Sequence, residues 1–132
     1  MFNLPLVYKN EPQSYAGRAP GLSTRLFLRL GTGGLDTLCH LVYPVSGDWH
    51  ATSKTDLILH NGNGEEVARQ HVAIPKSGSL HWRYSQMFSE AERAKAGERA
   101  YIIVRDVTCR LFGYHGLIKE GQAFSLDHMF GF

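Results

Sequence analysis

The chain has 132 residues, of which 43% are hydrophobic and 20% are charged, and its formal net charge is +2. This composition is typical of one globular domain with its own core and excludes an intrinsically disordered chain. The nearly balanced charge argues against a nucleic-acid-binding domain, which usually carries a concentrated positive field. No apolar run is long enough to cross a membrane as a helix, so we expect no membrane partner.

The first 22 residues differ from the rest of the chain. They contain three prolines and two glycines, which predicts an extended leader over residues 1–22 with at most one short strand near Leu4 to Tyr8. The apolar stretch near the N-terminus is interrupted by Pro5 and lacks the basic cluster of a signal peptide. We therefore expect a cytoplasmic protein in which residues 1–132 form a single β domain.

The first clear element is an alternating segment, STRLFLRL, that begins at Ser23. A period of two over eight residues predicts a half-buried strand with its leucines inward and Arg25, Phe27 and Arg29 outward. The glycine-rich GTGG that follows predicts a hairpin turn, because glycine adopts positive φ at little cost. Leu35–Pro44 is then predicted to return as the partner strand.

The middle of the chain predicts a β-meander. Thr55–Asn61 is rich in branched residues, and the NGNG sequence after it is a strong signal for a tight hairpin. Glu65–Ile74 would return with Val72 and Ile74 inward, and Leu80–Tyr84 would begin a further strand.

One short helix is predicted after these strands. Ser89 is followed three residues later by Glu92, which is the spacing of a capping box. Gly97 stands where a left-handed C-cap ends a helix. The segment between them lacks a strong apolar face, so the helix is expected on the surface, where it would bridge two strands.

The last third predicts more strands. Tyr101–Val104 is apolar on both faces, as in a central strand that is covered on both sides. Thr108–Ile118 would continue this strand or pair with it, and Gly113 and Gly116 indicate a bulge or a close backbone approach. A final strand ends the chain at residues 123–132.

The number and spacing of these elements predict the fold class. About eight strands, separated by turn signals roughly every ten residues, favour an antiparallel β-sandwich with one short surface helix. We therefore expect an all-β protein, and we prefer the sandwich to a small barrel.

A family resemblance covers about half of the chain. The segments TDLILHNGNGEEV, HVAIPKSGSL and HWRYSQMF, followed by the strand YIIVRD, resemble β-sandwich proteins of the sensory-rhodopsin-transducer kind. The shared features are a strand, a polar hairpin, a second strand, Ile-Pro, a turn of small residues, a third strand and a short turn or helix that contains Leu and Phe. The strand YIIVRD and a second strand after it also fit the pattern. The resemblance implies a module that binds a ligand or partner, and it carries over no active-site residue.

Seven histidines are the compositional oddity of the chain. Histidine is the commonest metal ligand, but the chain contains no HxH, HxxxH or HExxH spacing. His60, His71 and His81 are the best metal candidates, because they fall on successive strands of the predicted meander. A small histidine-based, metal-dependent enzyme is therefore an alternative function, although we expect no cofactor and identify no catalytic residue.

The two cysteines, Cys39 and Cys109, lie within apolar runs. Without a CxxC spacing, they are expected to be small buried residues in a reducing compartment rather than a zinc or redox site.

The main functional prediction rests on arginines that alternate with aromatic residues on two strands. Exposed rings supply stacking area and guanidinium groups supply forked donors, a combination typical of recognition surfaces. The candidate ligand-binding residues are Arg25, Phe27, Arg29, Arg110, Phe112 and Tyr114. The other interpretation is that the rings form a second buried face.

We accordingly expect a non-catalytic binding module that uses this face, or the loop ends, to hold a protein partner or another ligand such as a polyanion or a sugar. A structural homo-oligomer is the remaining alternative. It would pair through an edge strand, either Leu22–Gly31 or the C-terminal strand.

Overall fold

A computed structural model describes residues 23–45, 49–120 and 123–131, so the predicted leader lies outside the described residues. The described residues form ten strands and two short helices, and the strands make two antiparallel sheets. The elements are β1 (Thr24–Arg29), β2 (Asp36–Val42), β3 (Thr55–His60), β4 (Glu66–Val72), β5 (Ser79–Arg83), α1 (Tyr84–Met87), α2 (Glu90–Ala96), β6 (Tyr101–Asp106), β7 (Phe112–Lys119), β8 (Ala123–Phe124), β9 (Asp127–His128) and β10 (Phe130–Gly131). The predicted all-β sandwich is confirmed, and there are ten strands because the predicted final strand is divided into three.

Sheet I has the strand order β10-β1-β6-β3-β4, and sheet II has the order β5-β2-β7-β8, with β9 also paired to β7. β1 and β2 therefore belong to different sheets, and the prediction that they form a hairpin is wrong. β1 takes β6 as its partner over six residue pairs, from Thr24–Asp106 to Arg29–Tyr101. The GTGG turn instead carries the chain between the sheets, with φ of +65° at Gly33 and +89° at Gly34. Turn residues specify a change of direction but not the partner strand.

The NGNG hairpin joins β3 to β4 as predicted. The side-chain oxygen of Asn61 accepts hydrogen bonds from the backbone N–H groups of Asn63 and Glu65, and Gly64 adopts a φ of +84°. The predicted meander ends at β4, because β5 lies in sheet II beside β2. The chain leaves sheet I after β4 and crosses to the other layer through a tight turn at residues 75–78, where the N–H of Gly78 donates to the carbonyl of Pro75.

The core lies between the two sheets. Leu57, Leu59, Ile102 and Val104 of sheet I are fully buried, and residues of sheet II such as Leu41 face them. Burial of this apolar area is the main stabilising contribution to the fold. β6 is also covered on its other side, where Ile103 is only 8% exposed, so the prediction of a central strand buried on both faces is confirmed.

The predicted helix is α2, and its capping box is present. Ser89 Oγ accepts from the N–H of Glu92, and the Glu92 carboxylate accepts from the N–H of Ser89. Gly97 ends the helix at a φ of +79°. α1 is a single turn that directly follows β5, at the YSQM segment where the family resemblance implied a short turn or helix.

The C-terminal segment runs along both sheets on one side of the sandwich. β8 and β9 pair with β7 of sheet II, whereas β10 pairs with β1 of sheet I. Gly113 and Gly116 permit this path, as the sequence indicated. A Cβ at Gly116 would overlap the Ser125 carbonyl, and one at Gly113 would collide with the sulfur of Met129.

Candidate functional site

A cleft of about 380 Å³ opens on this side of the sandwich, between the first residues of β1 and the first residues of β7. Its walls include four of the six candidate binding residues: Arg25, Arg110, Phe112 and Tyr114. His128 of β9 also lines it. The volume lies within the range of small-ligand pockets.

Thr24 holds the two walls of the cleft together. Its hydroxyl donates to the carbonyl of Cys109 at 2.6 Å and accepts from the N–H of Leu111 at 2.7 Å. Thr24 is buried, so both hydrogen bonds are shielded from water. The start of β7 is thereby fixed against the start of β1, although the two strands belong to different sheets.

Asp106 fixes the turn that leads into this wall. It is 1% exposed and accepts five hydrogen bonds. Oδ1 accepts from the N–H and the hydroxyl of Thr108 and from the N–H of Cys109, at 2.8–2.9 Å. Oδ2 accepts from the N–H of Lys54 and the hydroxyl of Thr55, both at 2.9 Å. A buried carboxylate is tolerated when its lone pairs are used in this way.

The cationic side of the cleft comes from Arg25 and Arg110, which are both exposed. Arg110 Nε donates to the carbonyl of Ser23 at 3.1 Å, which orients the guanidinium group at the mouth of the cleft. This bond uses one of the five N–H donors of the group. A planar group held in this way suits a carboxylate or a phosphate.

The aromatic side of the cleft comes from β7. Phe112 is 52% exposed and Tyr114 is 39% exposed, so neither ring is buried on a second covered face. The Tyr114 ring packs against the His128 ring, with centroids 4.7 Å apart. Large exposed apolar side chains that cluster in a cleft are typical of recognition sites.

The other two candidate residues lie elsewhere. Phe27 is half-buried on the outer face of sheet I, in a separate hollow beside Arg99 and Tyr101. The backbone of Arg29 pairs with Tyr101, and its side chain lies outside the described part of the structure. The arginine-aromatic residues of β1 and β7 therefore do not form one sheet face, and of the two β1 candidates whose side chains the structure describes, Arg25 lines the cleft and Phe27 does not.

The histidines proposed as metal ligands are divided between the sheets. His60 and His71 lie on β3 and β4 of sheet I, and His81 lies on β5 of sheet II. The His60 ring stacks on Tyr101, and His71 Nδ1 lies 2.5 Å from a carboxylate oxygen of Asp56. Across residues 23–45, 49–120 and 123–131, no group of three or more His, Cys, Asp or Glu side chains could hold a metal ion.

A charged network joins β3 to β4, which is one of the two edge strands of sheet I. Arg69 forms ion pairs with Asp56 at 2.8 Å and with Glu66 at 2.9 Å. The hydrogen bond from Arg69 lowers the pKa of the Glu66 carboxyl group. Charged side chains on an edge strand discourage pairing with another chain. β1, proposed as an edge for self-association, is not one, because it lies between β10 and β6.

Three histidines and Tyr114 form a row across sheet II, which we call the histidine row. The register pairs His81 with His40, His40 with Tyr114, and Tyr114 with His128. The four side chains lie on the outer face, since Cys39 and Leu41 on the alternate positions of β2 are buried in the core. The histidine row was not predictable from the sequence, because it depends on which strands are neighbours.

Cys39 and Cys109 are free and buried, as expected. Burial raises the pKa of the Cys39 thiol, so the reactive thiolate is strongly disfavoured. The two described helices have four and seven residues, and neither could span a membrane.

Comparison with known proteins gave no match to a family model, a curated protein or a solved structure. The resemblance to sensory-rhodopsin-transducer proteins therefore remains a prediction.

Proposed function

We propose that this protein is a non-catalytic binding module that holds a carboxylate-bearing segment of a protein partner in the cleft. The observation that carries the proposal is the meeting of Arg25 and Arg110 with Phe112 and Tyr114 around one cavity. Two guanidinium groups select a negative charge, and the two rings offer apolar area for the side chain next to it.

Recognition fits the cleft better than bond-breaking chemistry does. The buried hydroxyl of Thr24 is hydrogen-bonded to the backbone of Cys109 and Leu111, so its role is structural. The two thiols of the chain are buried in the core rather than presented to a ligand. The groups that remain at the surface supply charge and ring area.

The test is binding of a synthetic peptide that alternates aspartate and phenylalanine, measured by calorimetry at pH 7.5. Charge-assisted hydrogen bonds contribute about 1.5–3 kcal/mol each, so Arg25→Ala/Arg110→Ala should weaken binding by at least about tenfold. A peptide with asparagine in place of aspartate should show a similar loss. Melting temperatures of all variants establish that the fold is intact.

Arg69→Ala/Arg99→Ala is the matched control, because it removes the same two charges from exposed positions outside the cleft. We expect this pair to change the affinity by less than about threefold, as is usual for distant surface charges. Equal weakening by both pairs would show that the peptide responds only to net charge, and the proposal would then be wrong.

A further inference from the structure

We infer that the binding surface continues from the cleft across the outer face of sheet II, where it takes an extended acidic peptide whose affinity rises as the histidine row gains charge. This inference rests on the proposed function. Tyr114 and His128 belong both to the cleft and to the row, so the two surfaces are continuous.

The row has the dimensions of a peptide subsite. Its four residues lie on four neighbouring strands, and three strand spacings of about 4.8 Å make it roughly 14 Å long. An extended peptide rises about 3.3 Å per residue, so about five residues would cover it. The rings of His40 and His81 are 5.9 Å apart, and those of Tyr114 and His128 are 4.7 Å apart.

The charge around the row favours an acidic partner. Arg83 follows His81 on the outer side of β5, and Arg110 stands just before β7 at the cleft. The four strands carry two carboxylates, Asp36 on the outer face of β2 and the exposed Asp127 next to His128 on β9. The Asp36 oxygens already accept hydrogen bonds from the N–H and hydroxyl groups of Ser85.

Apolar side chains border the row and favour a peptide over a purely ionic polymer. Phe112 lies beside it on β7 and is 52% exposed, and Leu126, just before β9, is 53% exposed. Val42 on β2 pairs with Phe112 and is half-buried. Acidic residues that alternate with apolar ones would contact both the imidazoles and these side chains.

The row also makes the affinity depend on pH. Imidazole is the side chain whose charge changes between pH 5 and 8. His40 faces His81 and Tyr114 across the strands, and Arg83 and Asp36 are the other charged groups on this face of β5 and β2. Protonation of the row adds positive charge next to the ligand, while aspartate, with a reference pKa of about 3.9, remains ionised.

The experiment measures binding of the aspartate–phenylalanine peptide at pH 7.5 and pH 5.5 at constant ionic strength, in a long form that covers the cleft and the row and in a short form that fills only the cleft. Several surface charge interactions acting together predict that the long peptide binds roughly tenfold more tightly at the lower pH. The short peptide should gain much less.

The variant His40→Gln/His81→Gln, which leaves the cleft residue His128 in place, should remove most of this gain while binding at pH 7.5 is retained. The matched control is His60→Gln/His71→Gln, which changes two histidines away from the row and should keep the gain.

The outcomes separate the two proposals. Absence of binding at both pH values would overturn the proposed function itself. Equal binding at both pH values, or a gain that survives in the row variant, would overturn only the inference about the histidine row. Tighter binding of heparin than of the peptide, with the same dependence on the row, would replace the acidic peptide by a sulfated polymer.

Discussion

Replacement of Asp106 by alanine should be the most destabilising single substitution near the cleft. The substitution leaves the N–H groups of Lys54, Thr108 and Cys109 without their acceptor, and two hydroxyl groups lose theirs. A buried unsatisfied group costs about 1–3 kcal/mol, and the hydroxyls can rotate to other partners, so we expect a loss of about 3–5 kcal/mol. For a domain of this size the melting temperature should fall by roughly 10–20 °C.

Urea unfolding followed by tryptophan fluorescence measures this loss, and two further variants calibrate it. Asp106→Asn keeps one acceptor oxygen but points an amide N–H₂ at the remaining donors, so it should lose about half as much stability. Asp127→Ala removes an exposed carboxylate and should stay within about 0.5 kcal/mol of the parent. A loss of less than about 1 kcal/mol for Asp106→Ala would refute the idea that this carboxylate organises the turn before β7.

Two other substitutions and one chemical labelling test local features of the structure. Gly116→Ala places a methyl group against the Ser125 carbonyl and should cost about 1–3 kcal/mol in a thermal melt, whereas an unchanged melting temperature would mean that the chain passes elsewhere. Ser89→Ala removes the capping box of α2 and should cost about 1 kcal/mol by urea unfolding, and no loss would contradict the cap. Cys39 and Cys109 should resist iodoacetamide at pH 8 in the folded protein and react in denaturant, and mass spectrometry would detect any early labelling that contradicts their burial.

Local features of the fold were readable from the sequence because they depend on a few neighbouring residues. The NGNG hairpin and the capping box at Ser89 each satisfy their own backbone groups, so their residue types identify them. The apolar segment Tyr101–Val104 likewise indicated a strand with two covered faces. Each signal lies within about ten residues of chain.

Pairing between distant segments was not readable in this way. The leucines of β1 indicate which face is buried, but they fit a strand in either sheet, and GTGG fits a turn between the sheets as well as a hairpin. The same limit applied to the site. Arg110, Phe112 and Tyr114 were identified from alternation, but their meeting with Arg25 and His128 depends on the side-by-side arrangement of β1, β7 and β9.

The most direct test of the account is a ¹⁵N chemical-shift titration of the protein with the aspartate–phenylalanine peptide. We expect the largest shifts at the amides of Ser23–Leu26, Arg110–Tyr114 and His128, the segments that form the cleft. Shifts concentrated on the outer strands of sheet I, around Asp56 and Arg69, or no saturable shifts at millimolar peptide, would show that the cleft is not the binding site.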